Sequence, residues 1–282
     1  MRLEFTKMEG LGNDYIYVDA RRFRLTDPST VAVRLSNRHF GIGANGLVLI
    51  GESSLADFSM RMFNADGSEA QMCGNAARCV GKYLYDKGLT QKLALGLETL
   101  AGVRQLSLHL GQDGLVDDVT VEMGEYSIGR RDLEVEADGA VFHGTVVNVG
   151  NPHFVVFCDD ADAVNLERFG PLIECDPAFP GRTNVEFASV IPSAVEAVSW
   201  YAVPKLRMRV WERGSGVTLA CGTGACATVA AAAHVILSEA KDLSLPSCTV
   251  IMDGGALQVT CADGTLLMRG PARTVFEGEV EV

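Results

Sequence analysis

Apolar and polar positions alternate along most of the chain in short runs bounded by glycine, asparagine and proline, the pattern of β-strands on a half-buried sheet. Residues 3–8 and 15–19 read as strands joined by the turn Gly10-Leu11-Gly12-Asn13-Asp14, and Met60-Arg61-Met62-Phe63 reads as another. Further strands are expected near 93–97, 103–110, 116–123, 141–149, 154–158, 185–191, 197–202, 206–212, 248–252, 256–261 and 265–269, with a last one from Thr274 to Val280. Thr26-Asp27-Pro28 opens a helix running to about Arg38, with Pro28 in its first turn, and a second helix is expected near 162–168. Ser238 to Pro246 reads as an exposed loop.

Two stretches break this pattern. Cys221-Gly222-Thr223-Gly224 leads into a run to Leu237 without Asp, Glu, Lys, Arg or proline, rich in alanine and therefore helical. Cys73-Gly74-Asn75 leads into a second helical run that ends at Gly88, a suitable residue just past a helix C-terminus. A cysteine at a helix N-terminus meets unpaired backbone N–H groups and the positive end of the helix dipole, which favour the thiolate. The N–H groups of Gly74-Asn75 and Gly222-Thr223 can also hold a carboxylate.

The two stretches belong to a longer repeat. Asn64 precedes Cys73 by nine positions, as Glu212 precedes Cys221. Upstream, Gly12-Asn13 before an apolar run matches Gly150-Asn151, and Asn45 before Leu47-Val48-Leu49-Ile50 matches Asn184 before Val185-Glu186-Phe187. A period of about 140 residues is a duplicated domain, since solenoid repeats are roughly 20–50 residues long. The expected division is an N-terminal lobe, 1–124, to which 270–282 returns, and a C-terminal lobe, 125–269.

Composition narrows the function classes. The 282 residues are 48% hydrophobic and carry a formal charge of −12, which argues against nucleic acid or an anionic membrane as partner. The charged start Met1-Arg2-Leu3-Glu4 lacks the apolar core of a signal peptide, so a cytoplasmic protein with reduced cysteines is expected. None of the eight cysteines or five histidines falls at metal-ligand spacing, and neither a metal nor an organic cofactor is expected. Gly41-Ile42-Gly43-Ala44-Asn45-Gly46 is a literal G-x-G-x-x-G, but it follows a helix and precedes a strand. A dinucleotide site needs the reverse order, so the segment reads as a substrate-facing loop.

One thiol from each lobe is the equipment for inverting a stereocentre, which takes a base on one face of a carbon and an acid on the other. At this point the motifs become specific. Met72-Cys73-Gly74-Asn75-Ala76-Ala77-Arg78-Cys79, and Glu212-Arg213-Gly214 with Leu219-Ala220-Cys221-Gly222-Thr223-Gly224-Ala225, resemble the paired signatures of the diaminopimelate epimerase family. Gly12-Asn13-Asp14, Asn64-Ala65-Asp66-Gly67-Ser68, Gly150-Asn151-Pro152-His153 and Thr183-Asn184-Val185 fall where that family has its other motifs, so the resemblance spans the chain.

The resemblance implies an α+β fold of two pseudo-symmetric lobes, each a mostly antiparallel sheet curled around a central helix. It implies cofactor-independent conversion of LL- to meso-diaminopimelate on the lysine and cell-wall route, in a homodimer. Cys73 and Cys221 would be the acid–base pair. Asn13, Asn64, Asn151, Asn184, Glu212 and Arg213 would hold the substrate, and Gly74-Asn75 with Gly222-Thr223 its reacting carboxylate. Glu212 has a second reading as a group that tunes Cys221, and His153 a supporting one. Asn45, Gly46 and Val217 depart from the family's usual aspartate, glutamine and glutamate. A proline or 4-hydroxyproline racemase or epimerase with the same two thiols, and a non-catalytic amino-acid-binding protein, are the alternatives.

Overall fold

The computed structural model describes residues 2–192, 205–237 and 247–282. The strand expected at 197–202 and the loop expected at Ser238 to Pro246 lie outside the described residues. The chain divides into two compact units, Met1–Glu122 with Arg269–Val282, and Met123–Met268.

The first unit contains β1 (Arg2–Gly10), β2 (Asn13–Asp19), α1 (Pro28–Ser36), β3 (Gly46–Gly51), β4 (Phe58–Asn64), β5 (Glu69–Ala70), α2 (Gly74–Asp86), β6 (Ala94–Thr99), β7 (Gly102–Leu110) and most of β8 (Val116–Glu125). The second contains β9 (Ser127–Ile128), β10 (Leu133–Ala137), β11 (Ala140–Asn148), β12 (Pro152–Phe157), α3 (Leu166–Glu174), β13 (Asn184–Ile191), β14 (Lys205–Glu212), β15 (Gly216–Val217), α4 (Gly222–Leu237), β16 (Cys248–Met252), β17 (Gly255–Ala262) and most of β18 (Thr265–Pro271). The last strand, β19 (Arg273–Glu281), pairs antiparallel with β1.

The duplication is visible in the pairing. In the first unit β1–β2 is antiparallel, β2–β3 parallel, β3–β4 and β4–β5 antiparallel, β4–β6 parallel and β6–β7 antiparallel. The second unit repeats this order strand for strand, from antiparallel β11–β12 and parallel β12–β13 through β13–β14 and β14–β15 to parallel β14–β16 and antiparallel β16–β17. The fold is α+β and dominated by its strands.

In each unit a buried helix runs against the sheet. α4 packs against β11, β12, β13, β14, β16 and β17, and Ala225 through Ala232 are buried almost completely. Alanine is the residue that lets a helix pass this close to surrounding strands without losing helix propensity. α2 packs against β1, β2, β7 and β19, and its Gly81 lets it lie close to β7, since a Cβ there would lie 2.8 Å from Leu108 Cδ2 and make that side chain shift.

The helix expected near 162–168 is two elements. Asp160 caps a single 3₁₀ turn, Ala161–Ala163, by accepting from Asp162 N, and Asn165 caps α3 by accepting from Arg168 N. Two N-caps five residues apart cannot share one helix, so α3 starts and ends later than expected. β10, whose Leu133, Val135 and Ala137 alternate inward, falls next to the expected lobe boundary and was not foreseen as a strand. α1 stops at Ser36 because Asn37 turns extended and its Oδ1 accepts from the N–H groups of His39 and Phe40.

Candidate active site

Unit one gathers its asparagines around the β1–β2 turn. Leu11 and Gly12 take positive φ angles there, of 59° and 78°, and deliver Asn13 to the start of β2. Asn45 Nδ2 donates to Asn13 Oδ1 at 3.4 Å, while Arg38 Nη2 donates to Asn45 Oδ1 at 2.9 Å and pairs with Asp14 at 2.7 Å. Lys7, nearly buried, pairs with Asp14 at 2.6 Å and donates to Gly43 O. Burial alone would raise the Asp14 carboxyl, but Arg38 and Lys7 together hold it below the usual carboxylate range. The amide at 45 gives an N–H to Asn13 and an oxygen to Arg38, where an aspartate could only accept.

The Gly-rich loop serves the backbone. A Cβ at Gly41 would lie 2.4 Å from Arg34 O, at the end of α1, and Ile42 and Gly43 N–H both close on Leu35 O. A Cβ at Gly46 would lie 2.1 Å from Phe63 O, so no side chain fits where some members of the resembling family carry glutamine. Gly46 pairs with Asn64, and Asn64 Nδ2 donates to Ser68 Oγ at 3.0 Å across its own turn.

Cys73 is the N-cap residue of α2, extended at φ −140° and ψ 119°, and half-buried. Gly74 and Asn75 form the first turn behind it, both buried. Gly10, opposite Asn13 in the β1–β2 register, lies against Asn75, since a Cβ there would meet Asn75 Cβ at 3.4 Å. Asn13 and the start of α2 therefore share one corner of this unit.

Unit two joins its residues more tightly. Cys221 immediately precedes α4, 6% exposed, and its Sγ accepts from Gly224 N at 3.3 Å and lies 3.4 Å from Thr223 Oγ1. Asn151 Nδ2 donates to Thr223 Oγ1 at 3.4 Å, and Asn151 Oδ1 lies 3.0 Å from His153 Nε2. His153 Nδ1 lies 2.6 Å from Glu186 Oε1, with both side chains fully buried. Asn184 Nδ2 donates to Pro152 O and Asn184 Oδ1 accepts from Arg213 N, so Asn184 ties β12 to the turn after β14. The Arg213 guanidinium is exposed and donates through Nη1 to Gly181 O at 3.0 Å.

Glu212 accepts from Thr218 Oγ1 at 2.5 Å and lies near enough to Cys221 for the two groups to affect each other's ionisation. Burial raises its carboxyl, against the lowering effect of Thr218. The same environment governs Cys221. Burial first, then the neighbouring Glu212 and Glu186 carboxylates, push the thiol well above its ordinary value, and the Thr223 and Gly224 donors only partly oppose them. The donors expected at the helix start are present, but desolvation and two acids outweigh them.

Glu186 and Thr218 were not anticipated as site residues. Glu186 stands two positions after Asn184, hence on the same face of β13, and that spacing was the available signal. Gly224 is fixed by both groups, because a Cβ there would sit 2.8 Å from Glu186 Oε1 and 3.3 Å from Cys221 Sγ. Val217, 40% exposed on β15, lies away from this network and pairs with Trp211. Among the described residues no helix is long and apolar enough to cross a membrane.

Comparison with known proteins accords with this arrangement. The sequence pattern of the diaminopimelate epimerase family matches residues 5–129 and 145–275. The diaminopimelate epimerase of Parabacteroides distasonis is 50% identical, over 99% of this chain and 98% of its own, and that of Phocaeicola vulgatus is 51% identical over 99% of both. Among solved structures, a phenazine biosynthesis protein of the PhzF family from Bacillus anthracis superposes with a TM-score of 0.74 at 18% identity, covering 100% of both chains. A hydroxyproline epimerase from Agrobacterium vitis, solved with trans-4-hydroxy-L-proline, does so at 0.67 and 16% identity, over 99% of this chain and 91% of its own. These last two share the fold; the match in sequence, running from end to end, shows that the chain belongs to the diaminopimelate epimerase family, whose named members are isomerases.

Proposed function

We propose that the chain epimerises LL-2,6-diaminopimelate to the meso isomer, with Cys73 and Cys221 as the acid–base pair and without a cofactor. One observation carries the reading: within a chain of this family, each of two units with the same strand pairing opens a buried helix with Cys-Gly.

The chemistry follows from what each thiol has beside it. One cysteine removes the α-proton and the other delivers a proton to the opposite face, and the roles exchange in the reverse direction. Cys221, raised by burial and by its acidic neighbours, rests as a thiol and is ready to donate. Once it has given up its proton, Gly224 N–H and the Thr223 hydroxyl hold the thiolate. The charge that develops on the substrate needs fixed donors, and the first N–H groups of each helix, at Gly74-Asn75 and Gly222-Thr223, supply them to the α-carboxylate. By analogy with oxyanion holes such donors contribute roughly 3–4 kcal/mol each.

Asn13, Asn64, Asn151, Asn184 and Glu212 then serve the polar groups of the substrate, and the exposed Arg213 guanidinium takes the distal carboxylate. A substrate without that distal end would leave these groups unpaired and be rejected. The reading also places the enzyme in the cytoplasm, on the route to lysine and peptidoglycan precursors, and as a homodimer.

The test is turnover of LL-diaminopimelate by purified, reduced protein with nothing added, with L-proline and 4-hydroxyproline in parallel. Conversion to the meso isomer, silence from the imino acids, and a loss of roughly 10²–10⁴-fold in Cys73→Ser and Cys221→Ser are expected. Turnover of an imino acid alone would reassign the substrate. Unchanged behaviour of the serine variants would point to a binding protein.

A further inference from the structure

Beyond its effect on the Cys221 thiol, Glu186 has no role in the chemistry above, yet it is fully buried, and its Oε2 finds no hydrogen-bond partner among the described residues. Its Oε1 touches His153 Nδ1 at 2.6 Å. From there an unbroken chain runs through His153 Nε2 to Asn151 Oδ1, from Asn151 Nδ2 to Thr223 Oγ1, and from Thr223 Oγ1 to Cys221 Sγ. The ring closes at Gly224, whose Cα faces both Glu186 Oε1 and Cys221 Sγ.

The direction of each bond can be counted. Asn151 has one acceptor and two donors on its amide, and with its nitrogen on Thr223 its oxygen must receive a proton from His153 Nε2. The 2.6 Å contact on the other ring nitrogen also needs a proton between Nδ1 and Oε1. The pair therefore holds two protons and is neutral as a whole. A buried carboxyl group demands such a partner, and His153 is the group that shares this proton with Glu186. Thr223, accepting from Asn151, has its own hydrogen left for Cys221 Sγ.

We propose that Glu186 is a positioning residue: by sharing a proton with His153 Nδ1 it keeps the Nε2–H turned to the Asn151 oxygen, and through Asn151 and Thr223 it aims a hydrogen-bond donor at the sulfur of Cys221. With His153 Nε2 unprotonated the amide can turn over, Thr223 then donates to Asn151, and the sulfur loses that donor when it becomes a thiolate. The proposal deepens the epimerase reading and rests on it for its kinetic arm alone.

The experiment is ¹⁵N NMR of the histidine side chains in substrate-free protein, with the His153 signals identified by their loss in His153→Asn. The comparison is with Glu186→Gln, which keeps the size of the side chain but has no carboxyl group to share a proton with the imidazole. Wild type is expected to show His153 Nε2 protonated, and Glu186→Gln a larger share with the proton on Nδ1 alone. The kcat of Glu186→Gln on LL-diaminopimelate is expected to fall by roughly 10–100-fold, as when a partner that orients a functional ligand is lost, with KM changed far less.

An unprotonated His153 Nε2 in wild type would overturn the proposal, as would a Glu186→Gln variant with unchanged kcat, the result of a role in packing alone. Should Glu186→Gln fail to fold, the wild-type spectrum still decides. Should the wild type turn over no diaminopimelate, the functional reading falls, while the spectrum tests the hydrogen-bonded ring independently.

Discussion

Cys221 shows how far a single residue's environment can depart from what its place in a helix suggests. The helix start supplies donors, but a thiol that is 6% exposed beside Glu212 and Glu186 has more to lose by ionising than those donors return. Removing one acid should reverse part of this. In Glu212→Gln the Cys221 thiol is expected to ionise at lower pH, so the pH at which iodoacetamide modifies Cys221, read by peptide mass spectrometry, moves down relative to wild type. An unchanged or higher midpoint would mean that Glu212 does not govern the thiol. The placement of Cys73 and Cys221 at the starts of α2 and α4 was legible because both stand in a repeated pattern of turn, Cys-Gly and helix. The contact between Glu186 and His153 was not, since a buried acid inside Asn184-Val185-Glu186-Phe187 and a histidine after Pro152 give no local sign of meeting across neighbouring parallel strands. Only the pairing of β12 with β13, a long-range event, brings them together.

At the scale of elements, composition foretold most of what formed. The uncharged alanine run became α4, a helix surrounded by strands, and its closeness is set by the methyl groups of Ala225 to Ala232. Ala230→Leu should therefore overpack this helix and cost about 1–3 kcal/mol in urea denaturation, with the fold retained. A neutral result would mean that space exists beside α4. The G-x-G segment was rejected as a nucleotide loop from its order of elements, and its glycines instead let the chain fold back on the end of α1 and run close to β4. The helix near 162–168 was misplaced because Asp160 and Asn165 are both good caps, and local sequence does not rank two competing starts. β5, β9 and β15, of two residues each, are pairings made by their neighbours and carry no pattern of their own.

For the molecule as a whole, the repeat was the most informative signal. Eight positions in matching order, from Asn13 and Asn151 to Cys73 and Cys221, implied two versions of one domain, and the pairing of strands repeats in the same order in both units. What the repeat could not convey is that the two halves have diverged chemically. The first surrounds its asparagines with Lys7, Arg38 and Asp14, and the second surrounds its thiol with Glu212, Glu186 and His153.

The central claim is that two different thiols handle the proton, one on each face of the carbon, and isotope distribution during early turnover tests it most directly. LL-diaminopimelate is incubated with the enzyme in D₂O, and substrate and product are separated before a tenth of the substrate has reacted. The account predicts a meso product carrying one deuterium at the inverted carbon, while the recovered LL isomer keeps its proton. Deuterium entering the recovered substrate as fast as the product, or product that retains the original proton, would mean that a single group serves both faces and would contradict the account.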